Sequence, residues 1–474
     1  MLDLVVEGNA YLDGEIHKCC IGIENGKIIE IKKILKGNQH LDFGDKLILP
    51  AGSDIHVHFR DPGFPNKEDF GTGTMAAAFG GTSFVMDMPN TKPPVISKEA
   101  VLDKVKIAKR KTYTDFGIYS SIRPKATFDE IKSIASFCTA FKIYLASTTG
   151  KLLFSDLGSL STVLSQINES GRIPVVHAES EAIIRKHKLS GENKRKVKSL
   201  HDHLLSRPNS AEVEAISNLL YIALQWESSK NNSKTYPIPK YNMHIHLCHI
   251  TCAETIGVLK NYYSTHLTKN EDTHKETTKK SISPNQDSKI HITCEVTPHH
   301  LLLNEKNQLG SYGKVNPPLR RAEDQAALWS ALADGTIQIL ASDHAPHTID
   351  EKNLEFDLAP AGIPGVETLI PLMLSNHKHH KIRLDRLVEA YSLNPATLFN
   401  LPKGRLAPGL DGDLIVVDFY NEEKIKVKNL HSKCNWSPFE NMDAIFPILT
   451  IVRGNIIVKD GNLESDPGIG KFYN

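Results

Sequence analysis

A ten-residue stretch, Asp54 to Gly63 (DIHVHFRDPG), follows the apolar run Leu47 to Ala51. His56 and His58 alternate on a predicted strand, so both imidazoles face one side and can reach one ion. In a chain with 22 histidines a bare His-x-His carries little weight, and His244-Ile245-His246 is another. The pair gains meaning from ligand types at comparable places. His177 ends the apolar run PVVH, His249 ends HLCH, Asp343 follows ILAS, and Lys142 lies inside FKIYL. Neutral imidazoles with a carboxylate suit zinc or a similar borderline divalent ion. Four histidines and an aspartate are too many for one tetrahedral site. Two ions roughly 3.5–4 Å apart would use them all and would need a bridging ligand.

Lys142 is the candidate bridge. An apolar strand destabilises its ammonium and lowers its pKa, and the neutral amine can add carbon dioxide to give a two-oxygen carbamate. Two divalent ions, the carbamate, Asp343 and a bridging hydroxide sum to about +1, which favours an anionic substrate. Asp343 could accept a proton from the attacking oxygen and deliver it to a leaving nitrogen. Arg60 could clamp a carboxylate with its planar fork. Asn90 in MDMPNT, Asn316 in the Pro-stiffened KVNPPLR, and His347, four residues beyond Asp343, are further candidate donors. The glycines of GIPG, Gly362 and Gly365, would let backbone approach a ligand closely.

These residues need a scaffold that gathers strand ends. Eight apolar runs read as strands: 53–58, 83–88, 114–120, 141–145, 174–177, 243–249, 291–297 and 337–342. Helical stretches separate them, which predicts parallel β/α units. Eight repeats over residues 51–401 is the count and size of an α/β protein of the (β/α)8 TIM-barrel type, whose C-terminal strand ends form the active face. Residues 1–50 and 402–474 instead show short strands with Asp-Gly and Asn-Gly turns. They predict a small β-sandwich domain formed from both chain ends. Two polar segments, 227–240 and 265–289, read as mobile inserted loops.

The formal net charge is +1, so no global field argues for nucleic acid or a membrane surface. Seven cysteines form no spaced framework, and Cys248 and Cys252 read as buried thiols in a reducing cytoplasm. The N-terminus lacks the features of a signal peptide, and no run of ~20 apolar residues offers a membrane span.

Taken together, HVHFRDPG, GGTSFVMDMPNTKPP, FKIYLAS, HAE, HLLSRP, HLCHIT, KVNPPLR, ASDHAPH and NPA resemble, in order and along nearly the whole chain, the dihydroorotases of the amidohydrolase superfamily. The resemblance implies two zinc ions held by His56, His58, His177, His249, carboxylated Lys142 and Asp343. It implies Arg60, Asn90 and His347 as substrate contacts, with Asn316 and the Ala361–Gly362 backbone near a pyrimidine ring. The implied activity is reversible cyclisation of N-carbamoyl-L-aspartate to L-dihydroorotate. Some members of the family use an aspartate beyond the fourth strand instead of the lysine, and Asp156 in FSDLG stands there. Lys142 is preferred, and Asp156 reads as a turn or helix cap. Allantoinase and hydantoinase-type cyclic amidases are the nearest alternatives. An inactive scaffold for a carbamoyltransferase would be expected to have lost ligands. The resemblance leaves open a homo-oligomer and association with aspartate carbamoyltransferase.

Overall fold

The computed structural model describes residues 1–146, 152–189, 197–231, 242–266 and 290–474. Four strands open the chain: β1 (Leu2–Leu12), β2 (Glu15–Glu24), β3 (Lys27–Lys32) and β4 (Gly37–Pro50). Eight parallel strands follow: β5 (Gly52–Val57), β6 (Thr82–Asp87), β7 (Asp115–Ser121), β8 (Ala140–Tyr144), β9 (Pro174–His177), β10 (Met243–Leu247), β11 (Ile290–Val296) and β12 (Ile339–Leu340). They pair in sequence order. A parallel bridge from Val57 to His344, with His58 N donating to His344 O at 2.7 Å, joins the last to the first. This is the expected TIM barrel.

Alternation explains which side chains enter it. In β8, Phe141 and Ile143 belong to the layer between strands and helices, while Lys142 between them reaches inward to Cys248. In β11, Cys294 and Val296 join the same outer layer, leaving Glu295 inside. The helices between strands start on side-chain caps. Asp69 accepts from Gly71 N and Thr72 N at the helix Phe70–Phe79, and Thr127 forms a capping box at Phe128–Ala135.

The chain returns through β13 (Leu414–Val417), β14 (Glu423–Lys424), β15 (Asp443–Ala444), β16 (Leu449–Val452), β17 (Asn455–Lys459) and β18 (Asn462–Leu463). β14 and β15 pair apart, and the others join β1–β4 in one eight-stranded sheet, ordered β18-β17-β16-β13-β4-β1-β2-β3. One buried cluster draws Val6, Ile21 and Ile48 from the N-terminal strands and Leu414, Leu449 and Ile451 from the C-terminal ones. Both chain ends thus share a hydrogen-bonded sheet and a core.

The polar insertions begin later than expected. Glu227 to Asn231 continue the helix Asn209–Asn231, and Thr265 and His266 finish the helix Ala253–His266. The rest of both segments lies outside the described residues. Among the described residues, no helix is long and apolar enough to cross a membrane.

A buried charge knot ties the barrel to the terminal sheet. The Lys403 ammonium lies 2.6 Å from Asp115 in β7, 3.0 Å from Asp411 and 2.5 Å from Asp413, and Arg453 reaches Asp115 at 3.0 Å. Removing one partner of such a group strands the others in low dielectric, a loss of about 3–5 kcal/mol. Lys403→Met is therefore expected to lower unfolding stability by that amount, read from urea unfolding followed by circular dichroism.

Candidate active site

Barrel closure brings β5 against the segment after β12. His56 Nε2 and His58 Nε2 each lie 3.2 Å from Asp343 Oδ1. On the other side of the mouth, His177 Nδ1 lies 3.0 Å from His249 Nε2. Lys142 Nζ stands 2.8 Å from Cys248 Sγ, and Cys248 joins His56 and His249 in a second buried group of potential metal ligands. The six expected metal-ligating residues thus converge, although they come from five strands.

The far nitrogens of these rings are already committed. Asn90 Oδ1 accepts from His58 Nδ1 at 2.7 Å, Glu295 accepts from His56 Nδ1 at 2.5 Å, and Glu179 accepts from His177 Nε2 at 2.9 Å. Those bonds fix the tautomers, so the lone pairs of His56 Nε2, His58 Nε2 and His177 Nδ1 face inward. Two lone pairs and a carboxylate oxygen meeting at 3.2 Å repel unless positive charge lies among them. Within the chain that charge falls to His56. Burial and Lys142 oppose its protonation, but Glu295 and Asp343 prevail and raise its pKa to about 10. A divalent ion answers the same demand with His56 neutral. The donor set fits a metal, and His249 Nδ1, buried with no hydrogen-bond partner among the described residues, adds an unspent nitrogen.

Burial lowers the His58 pKa to about 4, against the pull of Asp343, so this imidazole is neutral at pH 7. Burial alone would raise the Asp343 pKa, but His56 and His58 hold it well below the usual carboxylate range. Glu179 is likewise held low, against its burial, by Arg207 and His177. Three site residues adopt left-handed backbone: Arg60 (φ 65°), His249 (φ 30°) and Asp343 (φ 46°). Such strain in non-glycine residues persists only where surrounding contacts enforce it, and it gathers at functional sites.

Beside this cluster, the buried Arg60 donates to Pro346 O at 3.3 Å and lies 3.1 Å from His347 Nε2. Among the described residues no carboxylate forms an ion pair with it. His347 Nε2 also lies 3.2 Å from Ala361 O. Gly362 (φ 149°) has no room for a side chain, since a Cβ there would meet Ala345 O at 2.3 Å. Asn316 stands on His203, whose Nε2 reaches its Oδ1 at 3.0 Å. Asp156 is an exposed N-cap of the helix Leu157–Glu169, its carboxylate taken by Ser159, as the sequence suggested.

Glu179, Arg207, Glu295 and Cys248 were not picked out as site residues from sequence. A single acidic residue within a strand carries no spacing signal. Glu179, two residues after His177 in HAE, could have been suspected as an orienting partner. A cavity of about 780 Å³ lies at the opposite, N-terminal end of the barrel, lined by Tyr11, His244, Tyr263 and Arg405, and none of the expected site residues touches it.

Fold and site together define a TIM-barrel hydrolase whose mouth gathers residues that could hold a metal ion. The chain belongs to the amidohydrolase family, whose model matches residues 47–457. Its relatives include proteins named dihydroorotase from Methanosarcina acetivorans, 36% identical over 98% of this chain and 93% of the relative, and from Thermoplasma volcanium, 36% identical over 99% and 98%. Among solved structures, the L-hydantoinase of Arthrobacter aurescens superposes with a TM-score of 0.85 at 27% identity, covering 100% of this chain and 99% of that one. A D-hydantoinase at 24% identity shares the fold, with a TM-score of 0.83 over 100% and 98% of the two chains.

Two outcomes are expected here. Glu179→Gln leaves His177 without its charged acceptor and should weaken divalent-ion binding about 10–100-fold, read by zinc titration against a chromophoric chelator. The second concerns pH. Burial lowers the pKa of His203 and His244 to about 3 and of His299 to about 4. The unfolded chain protonates near pH ~6.5, so this stability is complete above that pH. It is lost as pH falls towards the folded values, by at most about 1.4 kcal/mol per group per pH unit. Urea unfolding between pH 7 and pH 4 should show the decline.

Proposed function

We propose that this chain is a dihydroorotase, catalysing the reversible cyclisation of N-carbamoyl-L-aspartate to L-dihydroorotate with loss of water, the third step of de novo pyrimidine synthesis. The observation that carries this reading is Arg60, a buried guanidinium with no carboxylate ion-paired to it among the described residues, two residues from His58 and 3.1 Å from His347. It suits a substrate carboxylate held next to a metal centre. The full-length relatives named dihydroorotase support the same substrate.

In this reading His56, His58, His177, His249, Asp343 and a carboxylated Lys142 would hold two zinc ions, and the metal would supply polarisation of water and of the ring carbonyl. The protein's own groups do the rest. Asn90, Glu295 and Glu179 keep the ligand nitrogens turned inward, and Arg60, Asn90 and His347 fix the substrate carboxylate. Asn316 and the Ala361–Gly362 backbone meet the ring. Asp343 takes a proton from the attacking water. It passes that proton to the ring nitrogen as the C–N bond breaks. In the synthetic direction the proton moves the other way.

Hydantoinase or allantoinase activity is the second reading, favoured by the likeness to the L-hydantoinase. A hydantoin without an acidic substituent would give Arg60 nothing to hold. The scaffold reading fares worse, because the chain keeps every candidate ligand. Free, buried cysteines support a cytoplasmic setting.

The test is hydrolysis of L-dihydroorotate beside allantoin and hydantoin, with zinc-loaded protein and Lys142→Ala. Turnover of dihydroorotate alone, reduced at least ~10³-fold in the variant, is expected. Turnover of allantoin instead would overturn the role of Arg60. No turnover with zinc demonstrably bound would favour the scaffold.

A further inference from the structure

Two lysines beside the site point into protein. Lys352 ends the short helix Ile349–Lys352 and is fully buried. Its ammonium lies 3.1 Å from Pro360 O, 3.1 Å from Gly362 O and 3.5 Å from Lys314 O, with the Trp436 ring centre 5.3 Å away. These partners are carbonyls and an indole face. Burial and then Lys314 push its pKa down to about 7, with Glu351 opposing them. Lys314 completes the arrangement. Its own ammonium donates to Phe356 O at 2.7 Å, Asp357 O at 3.0 Å and Ala359 O at 2.7 Å, and its carbonyl accepts from Gly362 N at 2.9 Å.

A buried ammonium is tolerated only where several acceptors replace its water. Here the acceptors belong to two separate backbone segments, residues 314–316 and 356–362. They carry Asn316, Ala361 and Gly362. Trp436, the floor of the cage, also donates its indole N–H to His347 O at 2.7 Å, linking the cage to the anion-binding side.

We propose that Lys352 is a positioning residue, whose buried ammonium sets the spacing between the 314–316 and 360–362 segments that receive the uncharged ring of the cyclic substrate. The proposal rests on the ring contacts assigned under the proposed function. Lys352 touches neither the histidine cluster nor Asp343. Its loss therefore loosens ring binding while leaving the metal ligands and the proton-moving carboxylate in place.

The experiment compares wild type and Lys352→Met, both zinc-loaded, in steady-state hydrolysis of L-dihydroorotate, with zinc content measured on the same samples. The expected result is a KM raised roughly tenfold or more with kcat within about threefold and zinc unchanged. An unchanged KM, or a fall in kcat that tracks lost zinc, overturns the proposal. If Lys352→Met does not fold, Lys314→Met at the half-exposed partner decides by the same split, with a KM rise of about threefold expected. Wild type that turns over allantoin or hydantoin but not dihydroorotate overturns the substrate reading alone, and Lys352→Met is then judged on the substrate that is used. Wild type inactive on all three overturns both.

Discussion

Closure of the barrel between β5 and the segment after β12 is the constraint on which the site depends. The seam includes the Val57–His344 bridge, in which His58 N donates to His344 O at 2.7 Å, with Ser342 N donating to Asp54 Oδ1 at 3.0 Å and Ser342 Oγ to His56 O at 3.4 Å. They join parts of the chain nearly 290 residues apart. A slip of one residue would turn each inward side chain outward, because side chains alternate across a strand. With the seam in register, His56 and His58 meet Asp343, and Arg60 on the following turn meets His347. The left-handed backbone at Arg60 and Asp343 falls on the two sides of this seam.

Buried charge gathers at both ends of the barrel, in opposite manners. At the base, three aspartates surround the Lys403 ammonium and Arg453 takes the remaining side of Asp115. The arrangement is closed. Asp115, Asp411 and Asp413 could by spacing hold a metal, but the lysine already stands among them. At the mouth, Glu295 and Glu179 bind the outer nitrogens of His56 and His177 and leave the inner nitrogens turned towards Asp343 and His249. Such a group needs positive charge among its acceptors, which within the chain falls to His56. Open against closed pairing is thus the physical difference between the candidate metal centre and a structural tie.

The walls of the mouth are held by cations as well. Arg207 clamps Glu179, Lys352 and Lys314 gather loop carbonyls, and Lys104 pairs with Asp87 under the second strand. Asp87 in turn accepts from Phe59 N at 2.7 Å, between the two residues that carry ligand and clamp. Rigid support of this kind lets loops present groups with the accuracy that catalysis needs.

The sequence by itself determined the eight barrel strands to within about two residues and the sharing of one sheet by both chain ends, because these follow from local period and residue type. Asp156 as a cap was legible for the same reason, its oxygens bonding three residues along. Other features were not. Glu295 meets His56 across 239 residues, and Glu179 meets Arg207 across 28. Cys248 read only as a buried thiol until β8 and β10 placed it against Lys142. Lys352, a charged residue with no local signal of burial, is wholly buried. Tertiary structure alone decided these, because the partner that makes each buried charge tolerable comes from a remote strand or loop, and no local pattern encodes that meeting.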